Sequence, residues 1–173
     1  MTATKAIPVK RLLSAQAYQL IDREIAKYPA DQKQSAVMGA LTIAQDEVGW
    51  VSPAVIEDVA DYLSMPPIAV YEVAPFYNMY NLEEVGTWKI GVCTCLPCAL
   101  REGDKAGEYL KQKLGIDFGE TTPDGRFTLI ETECLGSCAD APICLINDKR
   151  VESFMDNAKL DALIDELRNK ERH

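Results

Sequence analysis

Histidine is almost missing from this chain. The single one, His173, is the last of 173 residues, so the body of the sequence offers no imidazole ligand and no histidine general base. Long apolar runs are also missing. The longest, residues 36–44, is about half of the ~20 residues that cross a bilayer. None of the ten glycines falls in a G-x-G-x-x-G or phosphate-loop pattern, so a nucleotide or flavin has no recognisable cradle here. Positive charge is in deficit: 18 Lys and Arg face 27 Asp and Glu, a net charge of −9. Neither half carries a basic stripe, which argues against nucleic acid and anionic membrane surfaces as partners. Met1 to Pro8 lack the apolar stretch of a secretory signal, and the expectation is a cytoplasmic protein, or one facing that compartment from a larger assembly.

Against these gaps stands sulfur. Six cysteines in a reducing compartment favour metal or redox chemistry over a disulfide framework. Four of them make two short pairs, Cys93-x4-Cys98 and Cys134-x3-Cys138, with residues 99–133 between. Paired thiolates from two separate loops make a four-sulfur cage for a soft metal or an iron–sulfur cluster. Cys93 closes a strand-like segment, and Cys98 follows Pro97 in the first turn of a helix, where unpaired N–H groups and the helix dipole favour a thiolate. The second pair lies in the small-residue stretch Glu133 to Pro142. There Gly136 and Ser137 let the backbone approach a cluster and offer it N–H groups, which raises a reduction potential.

Three other readings use the same residues. Buried cysteine is often only a small hydrophobe. A four-cysteine zinc site needs the same ligands, although zinc sites usually show C-x2-C knuckles. Cys95-Leu96-Pro97-Cys98 is itself a C-x-x-C at a strand-to-helix junction, as in thioredoxin-type dithiol enzymes, with Ala141-Pro142 as a counterpart of their proline loop. That last reading leaves Cys93, Cys134 and Cys138 without a role.

The chain changes character near residues 82–86, and the fold class expected is α+β. Residues 1–84 read as a helical bundle. Ser14 caps a helix bearing Tyr18, Ile21, Ile25 and Tyr28. Lys33 to Gly49 carries Val37, Ala40, Leu41, Ala44 and Val48 on one stripe, with Gly49 as its stop. Ser52-Pro53 opens a third helix with Val55, Ile56, Val59 and Leu63. Val70, Val73 and Tyr77 mark a fourth, kinked or shortened by Pro75. Residues 85–173 read β-α-β-β-β-α: strands at Trp88–Cys93, Phe127–Glu133, Ile143–Ile146 and Val151–Phe154, a helix over Leu96–Leu114, a turn at Asn147-Asp148-Lys149, and a last helix capped by Asp156 or Asn157. That order fits a thioredoxin-like domain.

Here the motifs become specific. Cys93-x4-Cys98 and Cys134-Leu135-Gly136-Ser137-Cys138 resemble the family of thioredoxin-like [2Fe–2S] ferredoxin subunits found in respiratory complex I, the NADH–quinone oxidoreductase. The likeness runs through Lys33-Gln34-Ser35-Ala36-Val37, Val70-Tyr71-Glu72-Val73, Phe76 to Asn81, Gly119 to Asp124, Phe127 to Glu131 and Ala141-Pro142, covering roughly residues 15–168. The resemblance implies one [2Fe–2S] cluster held by Cys93, Cys98, Cys134 and Cys138, with Cys95 and Cys144 outside the ligand set and no catalytic residue of the chain's own. It also implies a partner flavoprotein subunit holding FMN and oxidising NADH, other subunits of a peripheral arm, and no direct membrane insertion. Four-thiolate plant-type clusters lie near about −400 mV, and a similar potential implies an electron reservoir or tuning site beside the main electron path. Equivalent subunits of NAD-reducing hydrogenases and formate dehydrogenases share this pattern.

Overall fold

The computed structural model describes residues 11–170, which form two compact units divided in sequence between Glu84 and Val85. In the first, α1 (Ala15–Ile25), α2 (Val37–Val48), α3 (Pro53–Leu63) and α4 (Pro67–Val73) close around Ile21, Leu41, Ala44, Val55, Val59, Leu63 and Val70. Their starts follow from short polar side chains. Ser14 Oγ accepts the Ala17 N–H at 3.2 Å, and Glu47 accepts from the Ser14 amide and hydroxyl, each at 2.7 Å. Ser52 Oγ accepts the Val55 N–H at 3.2 Å, ahead of Pro53, whose missing N–H costs nothing at a helix start. Gly49, at φ 98°, ends α2 in the left-handed conformation that glycine adopts without strain.

Two expectations for this unit are corrected. The segment before α2 is a tighter 3₁₀ turn over Ala30–Ala36, non-helical at Gln32. Asp31 to Ser35 offer no apolar stripe to bury, and the Lys33 ammonium is drawn to the Tyr62 carbonyl on α3. The fourth helix starts at Pro67 and stops at Val73, shortened as expected by Pro75, which has no N–H to continue the ladder; what is corrected is the place of Tyr77. Tyr77 therefore lies outside it, edge-on to Phe76 and Tyr80 at 5.0 and 6.4 Å between ring centres. A buried carboxylate pins the chain ahead of α1 to α3. Asp58, 0% exposed, accepts from Arg11 at 3.2 Å and from the Tyr18 hydroxyl, while Arg11 reaches Asp61 at 2.8 Å.

The second unit is a four-stranded sheet in the order β2-β1-β3-β4. Its strands are β1 (Trp88–Cys93), β2 (Phe127–Thr132), β3 (Ile143–Ile146) and β4 (Arg150–Ser153). β1 runs parallel to β2, with Ile90 beside Leu129, and antiparallel to β3, with Ile90 beside Ile146. The parallel pair requires a crossover, supplied by α5 (Leu96–Ala99) and α6 (Gly103–Leu114). Alternation then sorts the side chains. Ile90, Val92, Phe127, Leu129, Cys144 and Ile146 face Ala106 and Leu110 of α6 and Leu160, Leu163, Ile164 and Leu167 of α7 (Asn157–Asn169). Asp156 caps α7, accepting the Lys159 N–H at 2.9 Å.

The β3–β4 turn, residues 147–149, places Asn147 and Asp148 at φ 50° and 57°, and the Lys149 N–H donates to the Ile146 carbonyl at 3.0 Å to close it. Phe154, at φ 54°, leaves the strand one residue earlier than its apolar character predicts, and β2 likewise stops at Thr132. A further correction falls beside the cysteines. Leu96–Leu114 is not one helix: it breaks at Glu102, φ 69°, and resumes at Gly103. A Cβ on Gly103 would stand 2.8 Å from the Cys93 carbonyl oxygen and 2.9 Å from that of Cys98. The break lets α6 start hard against the backbone that carries both residues.

Candidate metal centre

The end of β1 and the start of α5 deliver the first cysteine pair. Cys93 is the last residue of the strand and Cys98 lies within α5; both are fully buried. They pack with Ala141, Ile143, Cys95 and Leu135 in a small cluster of their own. Ile143 and Cys144 are successive residues of β3 that face opposite sides, so Cys144 belongs to the helix-covered core instead. Burial pushes the Cys144 thiol up to about 12. It is a core residue in its contacts, removed from the others.

The second pair sits in the loop from β2 to β3. Cys134 is exposed, and Cys138, half-buried, opens a 3₁₀ turn over Cys138–Asp140. Gly136 takes φ 76° with nothing within 4 Å of its missing Cβ, so it serves the turn rather than a close approach. The loop is tied on both sides. Phe154 donates to the Asp140 carbonyl at 2.7 Å, Met155 to that of Pro142 at 2.9 Å, and Arg101, just beyond α5, to that of Ala141 at 3.4 Å. Arg101 thereby links the two cysteine segments, a role that no sequence pattern announces. Thr94 and Glu131 are hydrogen-bonded beside them.

The electrostatics of the site are uneven. Burial alone would raise Cys93, but the N–H of Cys95, the thiol of Cys98, the N–H of Leu135 and the thiol of Cys95 together hold it below the usual thiol value. Cys98 is pushed up to about 12 by burial, by its hydrogen bond to Cys93, and by the negative charge of Cys93, Cys138 and Cys134. The two sulfurs of the first pair are thus shifted in opposite directions, Cys93 down and Cys98 up. The Leu135 contact also shows the second loop reaching the first.

These facts bear on each reading of the cysteines. All six are free thiols. A dithiol nucleophile needs a depressed thiol that is accessible, yet in Cys95-Leu96-Pro97-Cys98 both thiols are raised and the depressed one, Cys93, is sealed. Among the described residues, no three Cys, His, Asp or Glu side chains converge as a single-ion cage would require. A two-iron cluster asks for two sulfurs at each iron, and two thiol pairs with N–H donors aimed at one of them fit that demand.

Comparison with known proteins identifies the family. Residues 21–168 match the thioredoxin-like [2Fe-2S] ferredoxin family. The chain is 45% identical over 151 residues to a subunit of NADH-quinone oxidoreductase from Rickettsia conorii (strain ATCC VR-613 / Malish 7), covering 87% of this chain and 90% of the relative. It is 40% identical over 150 residues to NADH dehydrogenase [ubiquinone] flavoprotein 2, mitochondrial, of Dictyostelium discoideum, covering 86% of this chain and 60% of that protein. Among solved structures, the NAD+-reducing [NiFe]-hydrogenase in its air-oxidized state superimposes with a TM-score of 0.67 at 23% identity. The match covers 76% of this chain but 22% of the hydrogenase chain, and it is a likeness of fold.

Proposed function

We propose, from the premise that this chain belongs to the thioredoxin-like [2Fe–2S] ferredoxin family, that it is the electron-transfer subunit of the NADH-oxidising arm of an NADH:quinone oxidoreductase. The observation that carries the reading is the family match over residues 21–168, and two cysteine pairs on two loops of one sheet, Cys93 with Cys98 and Cys134 with Cys138, supply the four thiols that such a centre would need. When bound there, a [2Fe–2S] cluster would supply one-electron chemistry, passing between net charges of about −2 and −3 with its four thiolates. The chain's own groups do the rest. The amides of Cys95 and Leu135 offer positive dipoles to the Cys93 sulfur, offsetting its negative charge. Burial of Cys93 and Cys98 keeps water from that side of the centre.

An electron carrier needs a donor, and this chain has no pattern that would bind nicotinamide or flavin. FMN and NADH therefore belong on a flavoprotein subunit of the same arm, docked with its flavin within reach of the cysteines. Leu96 and Leu100, one helical turn apart and 73% and 78% exposed, give the partner an apolar edge beside Cys98. No helix among the described residues is long and apolar enough to cross a membrane, which suits a place in the peripheral arm on the cytoplasmic side. The equivalent subunit of an NAD-reducing hydrogenase shares the fold, but identity of 45% with the Rickettsia conorii relative against 23% with the hydrogenase favours the respiratory assignment.

The test is anaerobic purification of the full chain, with assay of iron and acid-labile sulfide, an absorption spectrum, and identification of co-purifying chains. The reading expects iron and sulfide in equal amount and an FMN-containing partner. A colourless chain carrying zinc, or one without metal, would refute it.

A further inference from the structure

Arg101 stands outside the cysteine pattern, yet it spans the gap between its two halves. Its backbone N–H donates to the Cys98 carbonyl at 3.0 Å, so its position is fixed by the turn that carries Cys98. Its side chain crosses to the other loop, where Nε–H donates to the Ala141 carbonyl at 3.4 Å. Ala141 follows Cys138 by three residues and is buried in the cluster that holds Cys93, Cys98 and Ile143. The backbone ties of that loop come from elsewhere: Phe154 donates to Asp140 at 2.7 Å and Met155 to Pro142 at 2.9 Å. They hold the loop to the start of α7, whereas Arg101 holds it to α5. The neighbouring carboxylate does not draw the guanidinium away, because Glu102 is paired with Lys105 at 2.7 Å.

We propose that Arg101 is a positioning residue for the metal centre, its bond to Ala141 clamping the β2–β3 loop to α5 so that the two cysteine pairs stay together. The proposal rests on the ligand assignment above. A loop opens locally at a cost set by the few bonds that tie it down. Cys134 is exposed, so a lifted loop would give a chelator its first access to iron. Losing the Arg101 tie multiplies the open fraction and with it the rate of iron release. The donor is charged, which strengthens the bond, and the bond is long, which weakens it. Its loss is therefore worth about fivefold, the effect of one ordinary hydrogen bond. Arg101 is itself exposed, so replacing it leaves the core intact.

The experiment compares the full-length wild-type chain with Arg101→Met, Arg101→Gln and Tyr109→Phe, each purified anaerobically with its iron. Glutamine puts an amide N–H at the same remove from Cα as arginine Nε but carries no charge; methionine matches the length and offers neither. Tyr109→Phe removes the 2.7 Å bond to Asp161, a tie between α6 and α7 in the same unit but away from the loop. Iron and sulfide are assayed first, and then the rate of iron transfer to a colorimetric ferrous chelator is followed. Arg101→Met should release iron about fivefold faster than wild type, with Arg101→Gln and Tyr109→Phe within about twofold of it. Failure of Arg101→Met alone to hold iron would support the clamp more strongly still. Equal rates in wild type and Arg101→Met overturn the proposal and leave the ligand assignment intact. A glutamine variant as fast as the methionine variant, or as poor in iron, overturns it too, because charge rather than the bond would then matter. So does a Tyr109→Phe variant as fast as Arg101→Met, because general loss of stability would explain both. A wild-type chain without iron removes the ligand assignment and this proposal with it.

Discussion

Replacing Gly103 with alanine should strike the metal centre from outside its ligand set. The new Cβ would stand 2.8 and 2.9 Å from the carbonyl oxygens of Cys93 and Cys98, whereas carbon and oxygen in contact normally keep about 3.3 Å or more. Both obstacles are backbone, so the strand end or the helix start must yield by roughly half an ångström. Overpacking of this kind costs about 1–3 kcal/mol, and the helix preference of alanine over glycine returns about 0.5–1 kcal/mol. The net loss, about 0–2.5 kcal/mol, lowers Tm by up to roughly 20 °C in a unit of this size.

Stability alone would not locate the damage, so Gly115→Ala serves as the comparison. Gly115 sits at φ 69° with nothing within 4 Å of its missing Cβ. Alanine there pays about 1–2 kcal/mol of left-handed strain at the far end of α6, about 18 Å along the helix. Both variants should melt earlier than wild type, and only Gly103→Ala should lose iron and sulfide, measured per chain with the visible spectrum. Full iron in Gly103→Ala, or equal losses in the two variants, would refute the argument that α6 presses on the cysteine backbone.

Three further outcomes are expected. Cys134→Ser should lose or perturb the cluster whereas Cys144→Ala should retain it; the reverse, seen by iron assay, would reassign the ligands. Asp58→Ala should destabilise the first unit by about 1–3 kcal/mol, read by chemical denaturation, because Tyr18 and the half-exposed Arg11 lose their acceptor; a change within about 0.5 kcal/mol would count against that network. Glu166 is held down to about 2 by hydrogen bonds from Arg150 and Lys170. Since its folded value lies below its ordinary 4.5, its contribution is present above about pH 4.5 and disappears as pH falls toward 2. The Tm gap between wild type and Glu166→Gln should close over that interval, and a gap that persisted or widened there would reverse the sign of the argument.

Much of the fold is legible where the physics is local. Ser14, Ser52 and Asp156 announce helix starts because a short oxygen-bearing side chain can reach an N–H two or three residues on, and each does so. Asn147-Asp148 announces the hairpin because few residues accept two successive positive φ angles. The misreadings are tertiary. No local pattern in Leu96–Leu114 reveals the break at Glu102, which follows from the need to bring α6 against Cys93 and Cys98 with no Cβ between. The 3₁₀ turn before α2 depends on Lys33 finding Tyr62, a contact 29 residues away. At the site, spacing shows which cysteines come in pairs. It does not show that Cys93 is the sulfur whose proton is held less tightly, nor that the Leu135 amide reaches it, since both depend on where the β2–β3 loop lands.

The four proposed ligands differ most in their access to solvent: Cys93 and Cys98 are closed off, and Cys134 is open. Assembly and decay of a centre held among them would therefore have a direction. Iron and sulfide would arrive, and chelators or oxygen would attack, by way of the β2–β3 loop, with the strand-end pair the last to be reached. A flavoprotein seated over that loop would thus be a guard as well as an electron donor, and the isolated chain should bleach faster than the assembled one.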